Sequence, residues 1–167
     1  RSPSRGLGDV YKRQAYNRKS QRIDLYVGNP RKQLYLQKKG AISFEKHTFG
    51  YPNESHILFD DTDKATAIVR RDADSFSAKL GFSSPPYTNW KWHDLKQYVG
   101  GPVMLSLTEN TYVVAGRNWD GKSLTTAIWL LSSTDYSLKL LMTLPSKGDN
   151  SYPVSYTHLT LPTKRIG

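Results

Sequence analysis

An ionised carboxylate is costly to bury without a partner. The stretch GYPNESHILF, residues 50–59, nevertheless sets Asn53-Glu54 at the mouth of the apolar run Ile57-Leu58-Phe59. Arginines close the β-rich runs that follow, Arg70-Arg71 after Ala65–Val69 and Arg117 after Tyr112–Ala115. A guanidinium is a planar fork that matches a carboxylate with two parallel hydrogen bonds. Glu54 and Arg70 could therefore satisfy one another as a buried pair, or present converging charge to a polar ligand. Both readings stay open on the sequence alone.

Spacing brings these groups together. Glu54 and Arg70 are symmetric about Thr62 in the turn Asp60–Lys64, so a hairpin across that turn sets them nearly opposite one another. Pro102 and Arg117 are symmetric in the same way about the turn Thr108–Asn110, and Tyr152 enters at the corresponding point further on. One mouth is thus expected to collect Glu54, Arg70 or Arg71, Arg117 and Tyr152. Trp119, beside Asp120-Gly121 and close to Arg117, is a candidate aromatic contact for a sugar.

Other signals carry less. His47, His56, His93 and His158 have no metal-ligand spacing, so neither a metal site nor a cofactor is expected. His56 lies two residues after Glu54 on the same strand face and is expected to pack. Trp90 and Trp92 bracket Lys91 and are read as outer-strand packing. GRNWDGKS, residues 116–123, matches the phosphate-loop pattern, which must open a helix. The LTTAIWLL that follows is β-branched and aromatic and favours a strand. Nucleotide binding is therefore not expected.

The elements that must position these residues repeat. Pro52, Pro102 and Pro153 mark intervals of about fifty residues. Each of the first two opens an apolar run, a polar turn, a second run closed by arginine, a third run ended by paired serines (Ser83-Ser84, Ser132-Ser133), and a fourth short run. Helical periodicity is nowhere sustained. Four short strands per unit of about 40–50 residues are the pattern of a β-propeller blade. Leu34 to Phe44 reads as the last two strands of an earlier unit. The expected fold is all-β, a propeller fragment of about two and a half four-stranded blades spanning 15–153.

Charge and composition limit the function. The chain has 167 residues, no cysteine and a formal net charge of +10. Residues 1–14 and 154–167 resemble translated adapter sequence and are set apart from the fold. The first holds Arg1, Arg5, Lys12 and Arg13 against Asp9, and the second holds Lys164 and Arg165, which leaves +5 on 15–153. That charge is scattered, so a nucleic-acid partner is not expected. Disulfides are excluded, and no apolar run reaches the roughly 18 residues of a membrane-spanning helix.

YPNESHILF…ATAIVRRD, LGFSSPPYTNWKWHDL, VGGPVML…VVAGRN and LPSKGDNSYP resemble the sialidase-like six-bladed propellers, the exo-α-sialidase or BNR-repeat-like group. The resemblance covers most of 15–153 and implies a secreted or periplasmic glycoside hydrolase acting on terminal acidic sugars. It implies arginine clamps on a sugar carboxylate, here Arg70, Arg71 and Arg117, with Trp119 and Tyr152 as further ligand contacts. It makes Glu54 and Asp149 the candidate catalytic carboxylates, although Gly148-Asp149-Asn150 also fits a tight turn. The chain departs from the family in two respects. It has no full arginine triad, Arg70, Arg71 and Arg117 being candidates for two of its members. The usual Ser-x-Asp-x-Gly-x-Thr-Trp turn has only a loose counterpart in LQKKGAISFEKH, residues 36–47. The alternative is a carbohydrate-binding propeller without catalysis.

Overall fold

The structure, a computed structural model, describes residues 11–17, 19–29, 33–43 and 50–145. Within them the chain is all-β, with three antiparallel sheets. The first contains β1 (Tyr11–Asn17), β2 (Arg22–Asn29) and β3 (Gln33–Ser43), in that order. The middle sheet contains β4 (Pro52–Phe59), β5 (Ala65–Arg71), β6 (Lys79–Ser83) and β7 (Lys91–Asp94). The last contains β8 (Gly100–Ser106), β9 (Thr111–Trp119), β10 (Leu124–Ser132) and β11 (Leu138–Leu144). Both four-stranded sheets are up-and-down meanders, each strand bonded to its neighbour in sequence. β3 is one strand where two were expected between Leu34 and Phe44, because its pairing to β2 continues through two register shifts. β1 begins at Tyr11, inside the stretch read as adapter-like.

The sheets stack in succession. Leading strand β4 lies beside both β1 and β8, the leading strands of the sheets on either side. Burial follows from this placement. β5 is buried on both faces, which is why ATAIV is continuously apolar or small, whereas β9 alternates between buried and half-buried residues. On one side of the middle sheet Ala67, Val69 and Ile57 pack against Ile23 and Ile42. On the other, Ile68, Ala78 and Leu80 pack against Met104, Val114, Trp129 and Leu131. Trp90 and Trp92 stack with ring centroids 5.1 Å apart, as packing residues. Gly81 makes that possible, since a Cβ there would lie 2.1–2.5 Å from the Trp92 ring.

The two hairpins set the repeat. The turn Asp60–Lys64 is closed by Asp60 N–H donating to Lys64 O, and the turn Leu107–Thr111 by Leu107 N–H donating to Thr111 O. The flanking pairs are Phe59↔Ala65 and Ser106↔Tyr112, so equivalent positions lie 47 residues apart. The proline interval is longer because Pro52 and Pro102 are not equivalent. Each sits in a stretch where the ladder shifts register, between Pro52 and Ser55 and between Gly100 and Val103. On the 47-residue interval Arg70 corresponds to Arg117, and Glu54 to Gly101.

Asp94 ties the end of the middle sheet to the segment that leads into the last. Its carboxylate accepts from the Ser77 hydroxyl, the Lys79 ammonium and the Lys96 amide N–H, the last at 2.7 Å. Burial pushes its pKa up, but these three donors outweigh burial and hold it down at about 2. A depressed folded value stabilises above the ordinary 3.8, and that contribution is lost as pH falls from 3.8 through about 2. The side chain is 37% exposed, so solvent screening reduces the effect to roughly 1 kcal/mol. Urea unfolding at a series of acid pH values should show this extra loss in the parent and not in Asp94→Asn. Parallel acid profiles in the two proteins would refute it.

Candidate functional site

The β4–β5 ladder is regular from Phe59↔Ala65 to Ser55↔Val69 and then shifts register, and in that stretch the side chains of Glu54 and Arg70 meet. Arg70 Nη1 donates to Glu54 Oε2 at 2.6 Å, and Arg70 Nε donates to Asp72 Oδ1 at 2.8 Å. The side chains of Arg70 and Glu54 are 15% and 10% exposed. Gly101 N–H donates to the same Oε2 at 2.9 Å. This amide points at β4 because Gly101 adopts φ +52°, a conformation that side-chain-bearing residues rarely hold. Asn53 Nδ2 donates to the other oxygen of Asp72. The Tyr98 ring lies 5.7 Å from the Arg70 guanidinium. Burial alone would lower the Arg70 pKa. The Glu54 hydrogen bond and the fields of Tyr98, Asp72 and Glu54 raise it further above its ordinary value.

His56, two residues along the same face of β4, accepts from Met104 N–H through Nδ1 at 3.2 Å. Glu54 and His56 thus fasten the leading strand of the middle sheet to that of the last, each by accepting from a backbone amide of β8, that of Gly101 within the register shift and that of Met104 beyond it.

Arg70 and Asp72 form one wall of a cleft of about 800 Å³ between the middle and last sheets. Tyr98, Lys96 and Gln97 line it from the β7–β8 connection, Ser75 and Phe76 from the β5–β6 connection, and Asn118 and Trp119 from β9. Trp129, Leu124 and Leu140 supply its apolar part. Trp119 is 50% exposed and Phe76 51%, so two aromatic rings stand open to solvent beside polar groups. Asp120 sets the turn after Trp119. Its Oδ1 accepts from the Lys122 and Ser123 amides at 2.8 Å, making GRNWDGKS a strand end and a hairpin turn.

The expected site residues divide. Glu54 and Arg70 pair as expected, and Trp119 shares the cleft with Arg70. Arg71 lies on the opposite face of β5, because successive strand residues alternate. It is buried there, with Nε donating to Gly50 O at 3.2 Å and Nη2 to Asp74. Arg117 pairs with Gly100 rather than Pro102, because of the shift between Gly100 and Val103. It is buried on the face of β9 opposite Tyr112 and Val114 and does not line the cleft. Asp149 and Tyr152 lie outside the described residues. The sequence reading missed Lys96, Gln97, Tyr98 and Phe76, which sit in connections. No strand pattern marks them, since where a connection lies depends on how two sheets sit against one another. Among the described residues no group of three or more His, Cys, Asp or Glu is placed to hold a metal, and no helix is long and apolar enough to cross a membrane.

Comparisons with family models, with curated proteins and with solved structures find no significant match to this chain.

Proposed function

We propose that the chain is part of a sialidase-like β-propeller that binds carbohydrate in the cleft between its middle and last sheets. The propeller reading draws support from the contact between Glu54 and Gly101. These are equivalent positions on consecutive leading strands, joined by a hydrogen bond. Rotation of one four-stranded unit about a common axis puts equivalent positions side by side in this way.

The observation that carries the functional reading is Trp119, half exposed at a cleft bordered by Asn118, Ser75 and Gln97. An aromatic face covers the apolar face of a sugar ring, while amides and hydroxyls meet its hydroxyl groups. Binding is favoured over hydrolysis because Glu54 already accepts from both Arg70 and Gly101. A general acid must instead hold a proton that it can deliver to the leaving oxygen. Sialidase-type hydrolysis of an acidic sugar would have to draw its acid from elsewhere, Asp149 being the candidate, and would need a nucleophile besides. A secreted or periplasmic location suits either activity.

Trp119→Ala tests the reading. On an immobilised panel of glycans the parent chain should be retained, and the variant should lose at least about tenfold in affinity, since an aromatic platform contributes roughly 1–3 kcal/mol. Thermal unfolding should be unchanged, because the ring is half exposed. Equal retention of both proteins would refute a sugar site at Trp119.

A further inference from the structure

We propose that the cleft selects an uncharged sugar unit and discriminates against acidic ones. This inference rests on the carbohydrate reading of the cleft and departs from the acidic substrate that the family resemblance implies.

The cation best placed to clamp a sugar carboxylate is already occupied. Arg70 gives Nη1 to Glu54 at 2.6 Å and Nε to Asp72 at 2.8 Å. Both acceptors are themselves fixed, Glu54 by the Gly101 amide and Asp72 by Asn53. An incoming carboxylate would have to displace one of them and then sit close to both, and like charges brought together at an interface are strongly disfavoured. The Tyr98 ring, 5.7 Å from the guanidinium, occupies a further side of the group.

The charge around the cleft is balanced. Glu54 and Asp72 are offset by Arg70 and Lys96. Lys96 is exposed, and its field is screened by water and salt. The remaining polar groups, Ser75, Gln97 and Asn118, are neutral donors and acceptors suited to hydroxyls and amides. Trp119 and Phe76 offer ring faces that gain nothing from a negative charge, since the face of an aromatic ring is itself electron-rich.

The test is titration calorimetry of the 167-residue chain with two matched sets of short oligosaccharides. One set ends in galactose or N-acetylglucosamine, the other in glucuronate or sialic acid. Neutral sugars should bind at least about tenfold more tightly than their acidic counterparts. Their affinity should not change between low and high salt. Tighter binding of the acidic set, weakening as salt rises, would overturn the selectivity and leave the carbohydrate reading standing. Failure of both sets to bind would overturn the carbohydrate reading and the selectivity with it.

Discussion

Glu54→Ala is expected to cost about 3–5 kcal/mol of folding stability, the loss typical when one member of a buried ion pair is removed. The substitution deletes the acceptor for Arg70 Nη1 and for the Gly101 amide together. A guanidinium whose side chain is 15% exposed then keeps only Asp72 as a counter-ion, and the tie between β4 and β8 at that level is lost. Glu54→Gln should cost less, because an amide oxygen still accepts from Gly101 while the charge is gone. Urea unfolding measures the effect as a shift of the midpoint at unchanged slope. The double variant Glu54→Ala/Arg70→Ala should be less destabilised than the two singles added, with a coupling of about 1–3 kcal/mol. A single-variant loss below about 1 kcal/mol would mean that the pair behaves like an exposed surface bridge and does not fasten β4 to β8.

The Glu54–Arg70 pairing was legible because a tight hairpin turn fixes register. Once Asp60–Lys64 is recognised as a turn, counting outward places residue 54 against residue 70. The same count failed for Pro102 and Arg117, because the ladder shifts between Gly100 and Val103 and nothing in VGGPVM states how. Alternation along β5 requires Arg70 and Arg71 to face opposite ways. Which of them reaches the cleft depends on how the sheets stack, and the hydrophobic pattern of ATAIV is silent on that because both faces are buried. The four-strand units were legible from their turns and paired serines. The contributions of Lys96, Gln97 and Tyr98 were not, because their positions depend on the connection between two sheets rather than on any strand. Trp129 stands in a run whose residue types favour a strand, but strand membership does not say that its ring fills the space between two sheets.

Trp129→Ala carries the other large expected effect, a loss of about 3–5 kcal/mol. The side chain is fully buried, at 0% exposure, among Val114, Leu131, Met104, Ile68 and Leu80, and it borders the cleft. β10 places it there by pairing it with Val114 on one side and Leu140 on the other, next to a register shift at Ile128. The middle sheet solves the same packing problem differently. There Gly81 and Trp92 are directly paired, and the large ring comes from the outer strand over a glycine. The last sheet takes its ring from β10 and leaves Leu140 half exposed. Because Trp129 borders the cleft, the space that alanine would leave opens toward it. Among the described residues the indole Nε1 has no hydrogen-bond partner. Trp129→Phe should therefore cost far less, under about 1.5 kcal/mol, because the lost area is partly offset by removing an orphaned buried donor. Urea midpoints for the two variants decide the matter. Equal losses in the two would show that the indole N–H is satisfied in solution, and a negligible loss in Trp129→Ala would mean that the last two sheets do not close on this ring.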